Sequence, residues 1–140
     1  MDNILVAIDG SKQSNKTIGE AAKVAGKFKA KLTVLYVIEE NHQLGYDIFA
    51  AHKKAEAQMK DKANDILGKA AKAISDKGVE VKTRLEKGHA SDIICDIAEK
   101  EKYDLVVIGS RGLSGIGGML LGSVSNAVVH CVKTNIMIIK

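Results

Sequence analysis

Five short strand-like runs, four of them apolar and one alternating, are separated by stretches with helical periodicity and constrain the fold of this 140-residue chain more than any other feature. Continuous apolar runs of this length are typical of strands covered on both faces. Strands that alternate with helices form parallel sheets with right-handed crossovers. The sequence therefore predicts five parallel strands, at residues 3–8, 31–38, 79–86, 103–109 and 135–140.

Four helices are predicted between these strands. The first has Ser14 as its N-cap and extends to Phe28, because apolar residues recur there at spacings of three and four. Gly78 is predicted to end the second helix, as the glycine at its C′ position. Residues 39–49 are predicted to be irregular. The other helices are expected over residues 50–77, from His89 or Ser91 onward, and over 123–132.

The order of the strands in the sheet follows from their polarity. Residues 3–8 and 104–109 are the most continuously apolar and are expected at the centre, whereas residues 79–86 alternate and are expected at an edge. The order 3-2-1-4-5 satisfies both conditions. We therefore predict a single domain over residues 1–140, a three-layer α/β sandwich with a five-stranded parallel sheet of the mononucleotide-binding, Rossmann-like type. Ligands bind such sheets where the connections leave neighbouring strands in opposite directions, here strands one and four.

The segment after the fourth strand, "GSRGLSGIGGMLLGS", has six glycines in its first fourteen residues. Ordering so many glycines costs conformational entropy. One reason for glycine at these positions is that it lets the backbone approach a ligand closely. The following helix has its first amides near Ser123, Val124 and Ser125, where amides without intrahelical acceptors suit an anion such as phosphate. An alternative left open is that Ser123 or Ser125 is only an N-cap.

Two familiar phosphate motifs are absent from this segment. A P-loop needs a lysine directly before the serine, but Gly122 precedes Ser123. A dinucleotide fingerprint that begins at Gly115 would need a glycine at position 120, which is Leu120. The segment instead has Gly109, Gly112, Gly122 and Ser123 in the pattern G-x2-G-x9-G-[ST]. With "ILVAIDGS", "LTVLYVI" and "GHASDIICDIAEKEKYDLVVIGSRG", the whole chain resembles the ATP-binding branch of the universal stress protein family.

The resemblance implies an adenine-nucleotide site at the carboxyl ends of strands one and four. In such a site Asp9 contacts the adenine or the ribose, although the alternative that Asp9 caps the first helix stays open. The base pocket is lined by Ala7 and Val37, the ribose and phosphates lie against Gly109 and Gly112, and the phosphate tail is held by Gly122, Ser123, Val124 and Ser125. Ile108 and Arg111 complete the predicted site, Arg111 either reaching phosphate or remaining a surface charge.

The predicted cofactor is ATP, with ADP and AMP as alternatives, accompanied by Mg²⁺ because no P-loop lysine offsets the phosphate charge. No cluster of acidic residues suggests a separate metal site. The resemblance also implies a homodimer, paired through the last strand at residues 135–140.

Charge and composition exclude several other classes. The net charge is +4, but the lysines are mixed with acids on helical stretches and only 4% of the residues are aromatic, so we expect no nucleic-acid partner. No basic leader and no long apolar run are present, so we expect no membrane partner and a cytoplasmic protein. Cys95 and Cys131 are expected to be buried free thiols rather than a disulfide.

The function predicted on these grounds is regulatory binding of ATP in the stress response. A slow ATPase, or a phosphoryl or nucleotidyl transferase, is the alternative, disfavoured because the loop has no lysine and no carboxylate near Ser123. A phosphoacceptor domain is disfavoured because only Asp9 follows strand one and "LEKG" follows strand three. A further alternative is a member of the same family that binds no ATP. It is disfavoured because such members lack the glycine pattern, which this sequence has.

Overall fold

The computed structural model describes residues 1–40, 49–111 and 121–140, and the side chains of the second helix from residue 53 onward. Strands and helices alternate along the chain as predicted. The predicted irregular segment 39–49 falls mostly on residues 41–48, outside the described residues. The elements are β1 Asn3–Ile8, α1 Lys12–Phe28, β2 Lys31–Glu39, α2 Phe49–Ser75, β3 Val81–Gly88, α3 Ala90–Lys100, β4 Leu105–Gly109, α4 Ser123–Cys131 and β5 Asn135–Ile139.

The five strands form one parallel sheet in the order β3-β2-β1-β4-β5, which confirms the predicted topology. The central strand β1 places Val6 opposite Val34 of β2 and Val107 of β4. All three valines are fully buried. This is why the first and fourth apolar runs have no polar face, and it brings the ends of β1 and β4 together.

Each face of the sheet is covered by two helices, because successive strand residues point to opposite sides. Ile4 and Val6 of β1 pack in a core that α1 and α2 cover, with Ile18 and Ile74 among its members. Leu5 of β1 packs in the opposite core, which α3 and α4 cover. The carboxyl ends of the strands therefore lie between two helical layers.

Several predicted boundaries differ from the structure; β4, for example, begins at Leu105 rather than at residue 103. The N-cap of α1 is Ser11 rather than Ser14, and Ser14 is a buried residue within the helix. The third strand begins at Val81, not at residue 79, because pairing with β2 starts at Val81 opposite Leu32. Val79 is buried in the core beneath α1 and α2, so its apolar character reflects packing before the strand begins.

The expectation of two buried free thiols is wrong, because Cys95 and Cys131 form a disulfide and Cys131 is exposed. Cys95 lies in α3 and Cys131 is the last residue of α4, and their Cα atoms are 6.0 Å apart, a spacing that a disulfide can bridge. The two helices lie side by side on one face of the sheet. That adjacency is a property of the tertiary fold, and the apolar sequence around each cysteine does not indicate it.

Asp104 joins the beginnings of β1 and β4 through its carboxylate. Its Oδ2 atom accepts the backbone N–H of Asn3 at 2.9 Å and that of Asp2 at 2.8 Å. These donors lower the pKa of the Asp104 carboxyl below its ordinary value. The ionised carboxylate therefore stabilises the fold above the unfolded-state pKa of about 3.9, and this stabilisation is lost as the pH falls through the lowered folded-state pKa.

We expect Asp104→Asn to reduce the free energy of unfolding at pH 7, and the difference from wild type to shrink toward zero as the pH falls below the carboxyl's folded-state pKa. Urea unfolding at a series of pH values measures this. Asp96→Asn is the matched control, because its one ion pair within the described part of the chain is with the exposed Lys100 one turn away, at 3.8 Å. A loss for Asp104→Asn that is the same at every pH would contradict the expectation.

Candidate functional site

A cleft of about 570 Å³ lies over the carboxyl ends of β1, β2 and β4, between the two helical layers. Its volume is within the range of about 300–1,000 Å³ that small-molecule sites occupy. Ala7, Val37 and Ile108 give it apolar walls. The cleft coincides with the point between β1 and β4 where the chain connections reverse direction, the expected ligand position in an open α/β sheet.

Ten of the eleven residues predicted for the site line this cleft, and the eleventh, Gly112, lies outside the described residues. Sequence reasoning missed the helical side of the cleft. There α1 contributes Gln13 and Thr17, and α2 contributes Met59 and Lys62. The predicted residues that line the cleft are Ala7, Asp9, Val37, Ile108, Gly109, Arg111, Gly122, Ser123, Val124 and Ser125.

One end of the cleft is the N-terminus of α4. Gly122 is the N-cap, so the alternative that Ser123 or Ser125 caps the helix is wrong. The first bond of the helix runs from the N–H of Asn126 to the carbonyl of Gly122, at 2.9 Å. The amides of residues 123–125 therefore have no acceptor within the helix or elsewhere among the described residues, and they suit a bound anion.

Ser110 holds this helix end in place. Its carbonyl accepts the N–H of Gly122 at 2.7 Å and the hydroxyl of Ser125 at 3.1 Å. Ser110 and Ser125 are both buried. The hydroxyl hydrogen of Ser125 is thus already donated inside the protein, whereas Ser123 is exposed at the first helical position.

Asp9 orders the turn between β1 and α1. Its Oδ1 atom accepts the N–H of Ser11 at 2.9 Å and the hydroxyl of Ser14 at 3.1 Å, an Asx turn with one additional bond. Its other oxygen, Oδ2, has no hydrogen-bond donor among the described residues. Asp9 therefore supports the start of α1 without being its N-cap, and it presents a carboxylate oxygen at the cleft wall.

Gly10 and Tyr36 adjoin this carboxylate. Gly10 has a φ of +79°, which favours glycine, and a Cβ there would also lie 2.8 Å from the Ile66 side chain. Burial, and secondly the negative charge of Asp9, raise the pKa of Tyr36 above its ordinary value. Tyr36 is thus a neutral phenol at physiological pH in the same wall of the cleft.

The charged side chains of the cleft have both signs. Asp9 and Glu39 are the acids, and Lys62 and Arg111 are the bases. Glu39 accepts the N–H of Ala90 at 3.1 Å and so satisfies the first amide of α3, whose N-cap is His89. Among the side chains that the structure describes, no three from His, Cys, Asp or Glu come together as metal ligands.

Within residues 1–40, 49–111 and 121–140, no helix is both long and apolar enough to cross a membrane.

The architecture and the position of the cleft define an open, doubly wound α/β domain with a cleft at the switch point of its sheet. The model of the universal stress protein family matches residues 1–140, and the chain belongs to this family.

Individual relatives and solved structures are similar over almost the whole chain. A universal stress protein of Methanocaldococcus jannaschii is 28% identical over 137 residues, which cover 98% of this chain and 81% of the relative. The structure of the universal stress protein UspA from Lactobacillus plantarum matches with a TM-score of 0.92 at 24% identity, over 99% of this chain and 97% of that one. A universal stress protein in complex with cAMP matches with a TM-score of 0.76 at 28% identity, over 99% and 97% of the two chains.

Proposed function

We propose that this protein binds an adenine nucleotide, with ATP as the ligand, and acts as a regulatory module in the stress response. The observation that carries the proposal is the group of three amides at residues 123–125, which find no acceptor among the described residues and lie at one end of an apolar-walled cleft. Amides at a helix N-terminus suit phosphate, and apolar walls suit a planar base. The family relative in complex with cAMP supports the adenine class.

The lining residues suggest how the nucleotide lies. The base packs against Ala7 and Val37, and Asp9 Oδ2 accepts a hydrogen bond from the ribose or from the exocyclic amine. The ribose and phosphates pass Ile108, Gly109 and Arg111. The phosphate tail ends on the amides of Ser123, Val124 and Ser125 beside Gly122.

Mg²⁺ fits this site as an ion carried by the phosphates. The described residues supply no cluster of metal ligands, and Mg²⁺ commonly keeps several waters and is held largely by substrate phosphates. When bound, it offsets phosphate charge at a helix end that offers amides and hydroxyls. We expect little turnover, because fast phosphoryl transfer also needs a positioned base and a cation at the transferred group.

The edge strand β5 is the proposed dimer contact. It lies at one end of the sheet order, and Ile136, Met137 and Ile138 are only partly buried. An apolar strand with an open edge favours pairing with a second copy across a two-fold axis. Sedimentation equilibrium of the purified protein tests this part of the proposal.

The first test of the nucleotide proposal is to denature freshly purified protein and identify the released small molecules by mass. We expect near-stoichiometric ATP. Recovered ADP or AMP would keep the adenine site and exclude ATP as the resident ligand. Protein that is empty and also fails to bind Mg-ATP, Mg-ADP and AMP in calorimetric titrations would overturn the proposal.

A further inference from the structure

We propose that Gln13 is the positioning residue that sets the geometry of the phosphate end of the cleft, an inference that rests on the proposed function. Its side-chain amide joins three elements. The Nε2 atom donates to the hydroxyl of Ser110 at 3.2 Å and to the carbonyl of Ile139 at 3.0 Å, and Oε1 accepts the N–H of Arg111 at 3.0 Å. The first turn of α1 is thereby bonded to the residues that follow β4 and to the end of β5.

The chemistry of this position is specific to an amide. Nε2 has two hydrogens and uses both, while Oε1 accepts the third bond. A carboxylate at position 13 would keep the acceptor for Arg111 but place an oxygen against the carbonyl of Ile139. An apolar side chain of the same length would keep the packing and lose all three bonds.

Gly109 makes room for this amide. A Cβ on Gly109 would lie 3.1 Å from Oε1 of Gln13 and 3.2 Å from Oγ1 of Thr17. Thr17 is buried and donates its hydroxyl to the carbonyl of Gln13 at 3.0 Å, which fixes this turn of α1. The glycine at position 109 therefore has a packing role toward α1, besides the approach to ligand predicted from the sequence.

The bonds of Gln13 lead directly to the amides of α4. Gln13 holds Ser110, and the carbonyl of Ser110 holds both Gly122 and Ser125. Loss of the Gln13 bonds releases the Ser110 hydroxyl and the Arg111 N–H, and leaves the bond from the Ser110 N–H to the Ile139 carbonyl, at 2.7 Å, to position the Ser110 carbonyl that aligns the helix N-terminus. The effect should therefore fall on ligands that reach this helix end with phosphates.

The test compares ATP with adenosine as probes, by calorimetric titration of wild type and Gln13→Met. We expect ATP affinity to fall about tenfold, the size of one or two lost hydrogen bonds, and adenosine affinity to stay within about twofold. Asn15→Met is the matched control, an exposed neighbour in the same turn of α1 that does not line the cleft. Equal losses for both probes, or no loss for either, would overturn the inference.

Hydrogen exchange provides a second readout that needs no ligand. The Arg111 amide is bonded to Gln13 in wild type, so it should exchange about tenfold faster in Gln13→Met and in Gln13→Ala, while core amides of β1 keep their protection. An unchanged Arg111 rate in a folded variant would overturn the inference. If wild type binds neither probe, the proposed function fails, whereas the exchange result still decides the positioning role of Gln13.

Discussion

Gly122→Val is expected to weaken ATP binding at least tenfold, a loss of about 1.4 kcal/mol or more, while the protein stays folded. Gly122 lines the cleft and immediately precedes the amides proposed to hold phosphate. A branched side chain at this position takes up space that the phosphates need. The backbone of Gly122 has φ −69° and ψ 170°, an extended conformation that valine adopts without strain, so the fold should persist.

The matched control for this variant is Gly68→Val. Gly68 lies in α2 outside the cleft lining, and a Cβ there would meet no atom within 4 Å. Its ATP affinity should equal that of wild type in the same calorimetric titration, and circular dichroism should show both variants folded. A folded Gly122→Val protein that binds ATP as tightly as wild type would mean that the nucleotide lies elsewhere.

Cys131→Ser is expected to reduce the free energy of unfolding by about 4 kcal/mol in the absence of reductant. The disulfide closes a loop between residues that are 36 apart in sequence, and the loss of this constraint on the unfolded chain predicts an effect of that size. The bond also ties α3 to the last residue of α4. Denaturant unfolding of wild type and variant measures the difference.

Reductant provides the control for the disulfide prediction. Dithiothreitol should lower the stability of wild type close to that of Cys131→Ser, and should leave the stability of the variant unchanged. Thiol titration of unfolded, unreduced wild type should find no free thiol. Two titratable thiols, together with equal stability of wild type and variant, would contradict the disulfide.

The topology of the sheet was predictable because its central strands are buried on both faces. Val6, Val34 and Val107 meet across three strands and are fully buried, so each strand had to be apolar on both faces. The sequence of β3 alternates apolar and polar residues, as expected of an edge strand, and none of its residues is fully buried. The polarity pattern of each strand indicates whether one face or both faces are buried. The strand order, and with it the position of the cleft at the switch point, follows from these patterns.

Contacts between residues far apart in the chain could not be predicted from the sequence. Gln13 and Arg111 are 98 residues apart, and Gln13 and Ile139 are 126 apart. Nothing in the neighbourhood of Gln13 predicts these partners, because a glutamine in the first turn of a helix is ordinarily a solvated side chain. The pairing of Cys95 with Cys131 was missed for the same reason, since each cysteine has a local setting typical of a buried thiol.

The sequence by itself determined the alternation of elements, the parallel sheet, the strand order and the residues that meet at the carboxyl ends of β1 and β4. These depend on periodicity and polarity, which are local properties of the chain. Only the tertiary structure decided that Gly122 caps α4, that Asp9 braces the start of α1, that Gln13 bonds to β5, and that the cysteines are joined. Hydrogen bonds and disulfides depend on distances of a few ångströms between separate elements, and packing of the helices on the sheet sets those distances.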